Sequence, residues 1–185
     1  GDTANVQVVF TEPVVVTTTG GTPKITLETG TTDRSVNYSS GTEFDTLVFA
    51  YTVQAGDTTF AAAGDKLDYT GTTSLALNGG TIKDLAGNTA TITLNDPASG
   101  GTSNSLADTK SIKIDGVLPT ISSAAVTGGL KSIAITMNES VSGNPSNTDF
   151  SVSVGGNGNT VTGVSISGTT VTLALTSVVP NDSVV

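Results

Sequence analysis

The sequence contains no cysteine, no histidine and no tryptophan, and aromatic residues make up only 4% of its 185 residues. Without cysteine the chain forms no disulfide and no thiolate metal site, and without histidine it lacks the usual zinc and iron ligands. Cysteine and histidine nucleophilic mechanisms and Ser-His-Asp triads are excluded as well. We therefore expect that the protein is not an enzyme, and that its core consists mainly of Val, Ile, Leu and Ala.

Basic residues are also scarce, since seven Lys and Arg stand against sixteen Asp and Glu, for a formal net charge of −9. A polyanion such as DNA or RNA would be repelled, and the sequence has no basic patch that could follow a phosphate backbone. No apolar run approaches the roughly 18 residues that span a bilayer, so we expect no membrane insertion in this segment. Divalent cations, in contrast, would be attracted to clustered carboxylates.

Thr, Ser, Gly and Asn dominate the rest of the chain, a composition that favours strands and turns over helices. Short segments of alternating apolar and polar residues recur between clusters of Gly, Asn, Asp and Pro. They predict one series of strands at residues 6–10, 24–27, 35–38, 46–53, 74–77, 89–94 and 111–114, and a second at residues 120–126, 132–137, 150–154, 161–166 and 170–175. This spacing predicts an all-β, mainly antiparallel fold.

The two series are separated at residues 114–119, where a strand-like segment is followed by Gly116 and Pro119. We therefore predict two domains, at residues 1–116 and 117–185. An internal repeat supports this division, because residues 5–14 align without gaps on residues 132–141, with Glu12 on Glu139. Residues 47–57 also match residues 171–182 more loosely, with one residue added.

The ends of the sequence do not coincide with the ends of the two copies of the repeat. The strand predicted at residues 120–126 precedes the matched strand of the second copy and has no counterpart in the first. We therefore expect the first domain to lack its first strand and the second to lack its last ones. Two interpretations stay open: a segment of a longer array, or a filament subunit whose missing strands are supplied in trans by neighbours.

Three motifs resemble a known family. At Phe10-Thr-Glu-Pro-Val14, Asp84-Leu-Ala-Gly-Asn88 and Ile114-Asp-Gly-Val-Leu-Pro119, the sequence is similar to the tandem immunoglobulin-like repeats of giant bacterial adhesins and of bacterial and archaeal surface-layer proteins. The resemblance implies tandem immunoglobulin-like β-sandwiches on the extracellular surface. It also implies that the partners are neighbouring repeats or identical subunits in a cell-surface assembly.

Five residues are candidate calcium ligands. Glu12 ends the matched strand of the first copy, and a turn that holds Asp84 and Asn88 could lie at the same end of the sandwich. At the junction, Asp115 and Glu139 form a second candidate pair. Carboxylate and amide oxygens suit calcium, which takes six to eight oxygen ligands. The alternative for all five is an ordinary turn or capping residue that faces water.

Three functions remain as candidates. The first is a structural cell-surface module: a repeat of a surface layer, an adhesin stalk or an extracellular filament, stiffened by calcium. The second is an adhesin domain that binds a glycan or a surface. The third is an accessory immunoglobulin-like domain of a secreted hydrolase. Paired acids such as Asp65 and Asp68 lie in Gly- and Thr-rich loops without the aromatic platform expected of a glycosidase, so we interpret them as solvated loop residues.

Overall fold

A computed structural model describes residues 1–59, 66–99 and 104–180. The chain divides into two compact units, Gly1–Val117 (unit 1) and Leu118–Val185 (unit 2). Every strand pairing in the described part is antiparallel, and its helices are one α-helix, α1 (Leu106–Thr109), and two 3₁₀ turns, Pro97–Ser99 and Asn147–Asp149. The predicted all-β, antiparallel fold is therefore confirmed. None of the described helices has the length and apolarity needed to cross a membrane.

The described part of unit 1 contains seven strands in a continuous hydrogen-bonded path of order β5-β2-β3-β4-β1-β7, with β6 also paired to β2. Their bounds are β1 Thr3–Thr17, β2 Lys24–Glu28, β3 Arg34–Ser40, β4 Phe44–Thr52, β5 Asp68–Tyr69, β6 Leu75–Ala76 and β7 Thr81–Asp84. The register of β1 against β4 shifts between Val9 and Val14, beside Pro13, which has no N–H to donate. This irregularity lets β1 pair with β4 in its first half and with β7 in its last four residues.

The core of unit 1 follows the period of its strands. In β4 every second side chain is buried, namely Leu47, Phe49 and Tyr51. In β2 the side chains of Ile25 and Leu27 are buried with the same spacing. Alternate residues of a strand point to one face of a sheet, so these side chains meet in a single layer. These five side chains belong to one cluster of buried apolar residues, and the removal of that cluster from water holds the strands of the unit together.

Two predicted strands of unit 1 are wrong. Residues 89–94 and 111–114 keep the expected alternation of half-buried and exposed side chains, but neither forms a ladder. The first of them makes a single isolated bridge to β7, where Ala90 donates to the carbonyl of Ile82. Other backbone bonds of the two segments go to loops, since Leu94 donates to the carbonyl of Thr72 and Leu67 donates to that of Ile112. Alternating burial requires only an extended chain against a core, whereas a strand also requires a neighbour with matching hydrogen-bonding groups.

Unit 2 contains a four-stranded sheet of order β12-β13-β9-β8 and a separate hairpin of β10 and β11. The bounds are β8 Ile121–Thr127, β9 Ser132–Met137, β10 Val152–Val154, β11 Asn157–Asn159, β12 Val161–Ser167 and β13 Thr170–Leu175. Gly155 and Gly156, both with positive φ, form the two-residue turn between β10 and β11. The predicted strands at residues 132–137 and 170–175 are confirmed to the residue.

The internal repeat seen in the sequence extends to the register of the sheets. In unit 1, Val8 pairs with Leu47, and the aligned residue Ile135 of unit 2 pairs with Val171. The same correspondence holds along both ladders, because Val6–Phe49 matches Ile133–Leu173, Val9–Thr46 matches Thr136–Thr170, and Asn5–Ala50 matches Ser132–Ala174. The two units therefore share one central strand pair in one register.

Candidate functional site

The carboxylate of Asp57 is buried, and its residue contacts the last segment of unit 1 at Gly116. Asp57 is 1% exposed and follows β4 in a turn. Its Oδ1 accepts a hydrogen bond from Nε of Arg34 at 2.7 Å, and its Oδ2 accepts from the hydroxyl of Tyr51 at 2.6 Å and from the backbone N–H of Gln54 at 2.9 Å. Three donors, one of them charged, therefore surround this carboxylate.

The surroundings of Asp57 determine whether its carboxyl group and the phenol of Tyr51 are ionised. Burial alone would raise the pKa of Asp57, but hydrogen bonds from Tyr51, Gln54 and Arg34, together with the charge of Arg34, hold that pKa below its ordinary value. Burial, the hydrogen bond to Asp57 and the charge of Asp57 raise the pKa of Tyr51 well above its ordinary value. The carboxylate stays ionised and the phenol stays neutral, so the site is a fixed ion pair with a bound hydroxyl.

The backbone of Asp57 holds the last segment of unit 1. The N–H of Gly116 donates to the carbonyl of Asp57 at 2.7 Å, and the N–H of Gly56 donates to the carbonyl of Gly116 at 2.8 Å. A Cβ at position 116 would lie 2.2 Å from the carbonyl oxygen of Gln54, so only glycine fits. The side-chain cluster of Asp57 thus fixes the turn to which the segment before the junction is bound.

A second buried polar cluster lies at the start of α1. Its Asp68 is 9% exposed and lies in β5, so the prediction of a solvated loop residue is wrong there, whereas Asp65 lies outside the described residues. Asp68 accepts from the hydroxyl of Ser105 at 2.6 Å and from the backbone N–H of Leu106 at 3.1 Å. Beside it, burial and the negative charges of Asp68, Asp108 and Asp96 raise the pKa of Tyr69 to about 12, and its hydroxyl donates to the carbonyl of Asn95 at 2.8 Å. These bonds fix the segments at residues 95 and 105–106 against β5.

The predicted calcium turn is a hydrogen-bonded loop after β7. The two carboxylate oxygens of Asp84 accept from the backbone N–H and from the side-chain amide of Asn88, each at 2.7 Å. These bonds hold the pKa of Asp84 below its ordinary value. Asp84 pairs in register with Val14, and the exposed Glu12 lies two residues before Val14 on β1. The structure thus places Glu12 and the turn on neighbouring strands.

The other two candidate ligands lie in different units. Asp115, in unit 1, is exposed and accepts a hydrogen bond from the backbone N–H of Val117 at 3.1 Å. Glu139, in unit 2, is half-buried just after β9. Among residues 1–59, 66–99 and 104–180, no three acidic side chains lie together in a group that could hold a metal ion. Calcium binding therefore stays a prediction.

The Asp57 cluster was missed as a site from the sequence. Asp57 follows glycine at the end of a strand, which is the usual setting of a solvated turn residue. The available signal was that Arg34, the only arginine in the chain, directly precedes the strand predicted at residues 35–38. Arg34 and Asp57 become neighbours only through the order β3-β4, which a sequence pattern does not specify.

Residues 114–185 match a protein family described as "Putative flagellar system-associated repeat". The match covers unit 2 together with the last residues of unit 1. No curated protein and no solved structure shows significant similarity to the chain. Unit 2 is thus similar to a repeat module.

Proposed function

We propose that the chain is a pair of immunoglobulin-like β-sandwich repeats that act as a non-catalytic structural module of an extracellular cell-surface assembly, whether surface layer, stalk or filament. The observation that carries this proposal is the shared register of β1–β4 and β9–β13, because tandem copies of one β module are typical of repeat architectures. The similarity of residues 114–185 to a repeat associated with flagellar systems supports it independently.

The anchoring of the junction segment also supports a load-bearing role. In a stalk or filament, tension enters each repeat through the segments that connect it to its neighbours. In unit 1 that segment is bonded through Gly116 to Asp57 and through Ile114 to the N–H of Thr59. Because Asp57 is itself fixed by Arg34 and Tyr51, a pull on the junction acts on the core and not on a loose turn.

Single-molecule force spectroscopy on the full chain tests this proposal. We expect two unfolding events, with length gains of about 400 Å for unit 1 and about 240 Å for unit 2 at roughly 3.5 Å per extended residue. Asp57→Ala should lower the force of the longer event and leave the shorter one unchanged, and Asp45→Ala, on the exposed start of β4, is the matched control. Extension without resistance, or specific binding to a panel of surface glycans, would contradict a purely structural role.

A further inference from the structure

One edge of β1 has no ladder partner in the described part of unit 1. The N–H of Val53 donates to the carbonyl of Asp2, and hydrogen-bonded and non-bonded pairs alternate along an antiparallel ladder. Ala4, Val6 and Val8 therefore direct their backbone groups toward β4. The N–H and C=O groups of Asn5, Gln7 and Val9 point the opposite way, where β7 pairs only with residues 14–17.

This edge borders a cavity of about 720 Å³. Six consecutive residues of β1, Asn5 to Phe10, line one wall, as expected where a strand presents its backbone edge and not one face. Residues 91–95 and 104–106 also line the cavity, and the bonds of Tyr69 to Asn95 and of Ser105 to Asp68 fix these segments. Unit 1 thus contains a preformed groove along a backbone edge.

Unit 2 shows what covers the equivalent edge. By the shared register, Ser132, Ala134 and Thr136 of β9 correspond to Asn5, Gln7 and Val9 of β1. In unit 2 these three residues pair with Thr127, Ala125 and Ser123 of β8. The same edge of the same module is therefore occupied by an antiparallel strand in one unit and lines a groove in the other.

From this correspondence we infer that the groove along Asn5–Phe10 of unit 1 binds an extended strand of the β8 type, contributed by another repeat and antiparallel to β1. Such a strand would place residues equivalent to Thr127, Ala125 and Ser123 opposite Asn5, Gln7 and Val9. Main-chain hydrogen bonds to an open edge supply affinity in strand addition. This inference rests on the edge of unit 1 and does not depend on the cellular location proposed above.

Charge favours this occupant over others. Among the described residues that line the groove, Lys110 alone is charged. Residues 119–128, which contain β8, carry no charge and consist largely of small and β-branched residues. A strongly acidic or basic peptide would lose its hydration between these walls without gaining a matched partner, whereas an uncharged strand loses little.

A synthetic peptide of residues 119–128 with blocked ends, added to the isotope-labelled full chain, tests the inference by nuclear magnetic resonance. We expect saturable shift changes along Asn5–Phe10 and at least tenfold slower amide exchange at Asn5, Gln7 and Val9. Gln7→Pro removes the outward N–H and should weaken binding at least tenfold, whereas Gln7→Ala keeps that N–H and should bind as the parent chain does. A peptide with Ala125→Pro, which leaves the protein unchanged, should also bind at least tenfold more weakly.

Three results would overturn the inference. The first is the absence of shift changes at Asn5–Phe10 with millimolar peptide. The second is a set of changes confined to Ser132–Thr136, which would show that the peptide displaces β8 and does not fill the groove. The third is a concentration-dependent dimer that Gln7→Pro abolishes, which would show that two β1 edges pair with each other. None of these results bears on the force measurement that tests the structural role.

Discussion

Units 1 and 2 share a central strand pair in one register but fill the space around it differently. In unit 1, Phe49 and Tyr51 occupy two inward positions of β4, and both are at most 2% exposed. The corresponding residues of β13 are Leu173 and Leu175. At these two positions the core of unit 1 has aromatic side chains where that of unit 2 has aliphatic ones.

This difference explains why unit 1 needs a buried carboxylate. The hydroxyl of Tyr51 is carried into the core with its ring, and a buried hydroxyl without a partner is costly. Asp57 accepts from that hydroxyl, and Arg34 balances the charge of Asp57. Leu175 brings no such group into unit 2. One aromatic substitution in a shared strand pair thus requires two further polar residues from other elements.

The largest expected effect comes from truncating the matched core positions. Phe49→Ala should destabilise unit 1 by about 4 kcal/mol, and Leu173→Ala should destabilise unit 2 by about 3 kcal/mol, because each leaves a cavity. Unit 2 is the smaller unit and has less core to lose, so Leu173→Ala should leave it largely unfolded at 25 °C. Chemical denaturation followed by circular dichroism measures both effects. Equal loss of both units from either variant would show that they unfold together.

Removal of the buried carboxylate should have the next largest effect. Asp57→Ala leaves Arg34 and the hydroxyl of Tyr51 without their acceptor, and we expect a loss of about 3 kcal/mol in unit 1. The melting transition of unit 2 should not change. Asp45→Ala removes an exposed acid of the same charge and serves as the control. A melting temperature equal to that of the parent would show that the cluster contributes nothing to stability.

The sequence predicted the internal repeat and those strands that show a clear alternation of apolar and polar residues. The gapless match of residues 5–14 to residues 132–141 anticipated the common register of the two units, and β9 and β13 were predicted to the residue. The two-residue strands β5 and β6 and the three-residue β11 are too short to show a period, and of these only β6 lay inside a predicted segment. The Asp57 cluster joins residues 34, 51 and 57 through strand order and burial, and neither can be obtained from local pattern.

Acid should reduce the difference in stability between the parent chain and the Asp57→Asn variant. The folded-state pKa of Asp57 is depressed, so its stabilising contribution is complete above the unfolded pKa of about 3.9 and is lost as pH falls through the folded value. Asp57→Asn removes that titration. We expect the parent to be more stable than Asp57→Asn at pH 7 and the gap to narrow steadily below about pH 4. A gap that stays constant from pH 7 to pH 3 would show that Asp57 is not stabilised as a carboxylate.

The smallest expected effect concerns the turn after β7, and it separates a structural role from a metal role. Asp84→Ala removes both bonds to Asn88, so the hairpin should lose local order, seen as faster amide exchange at Gly87 and Asn88. This effect should appear in chelator alone, because the two bonds need no ion. If calcium binds Asp84 and Asn88 with Glu12, calcium should also raise the melting temperature of the parent by several degrees and leave the melting temperature of Asp84→Ala unchanged.

Asp115→Ala and Glu139→Ala test the junction pair of candidate calcium ligands in the same way. Identical melting curves with calcium and with chelator in the parent would show that these acids act as turn and strand-end residues only. The role of Asp84 would then be to hold the turn after β7 through its two hydrogen bonds from Asn88.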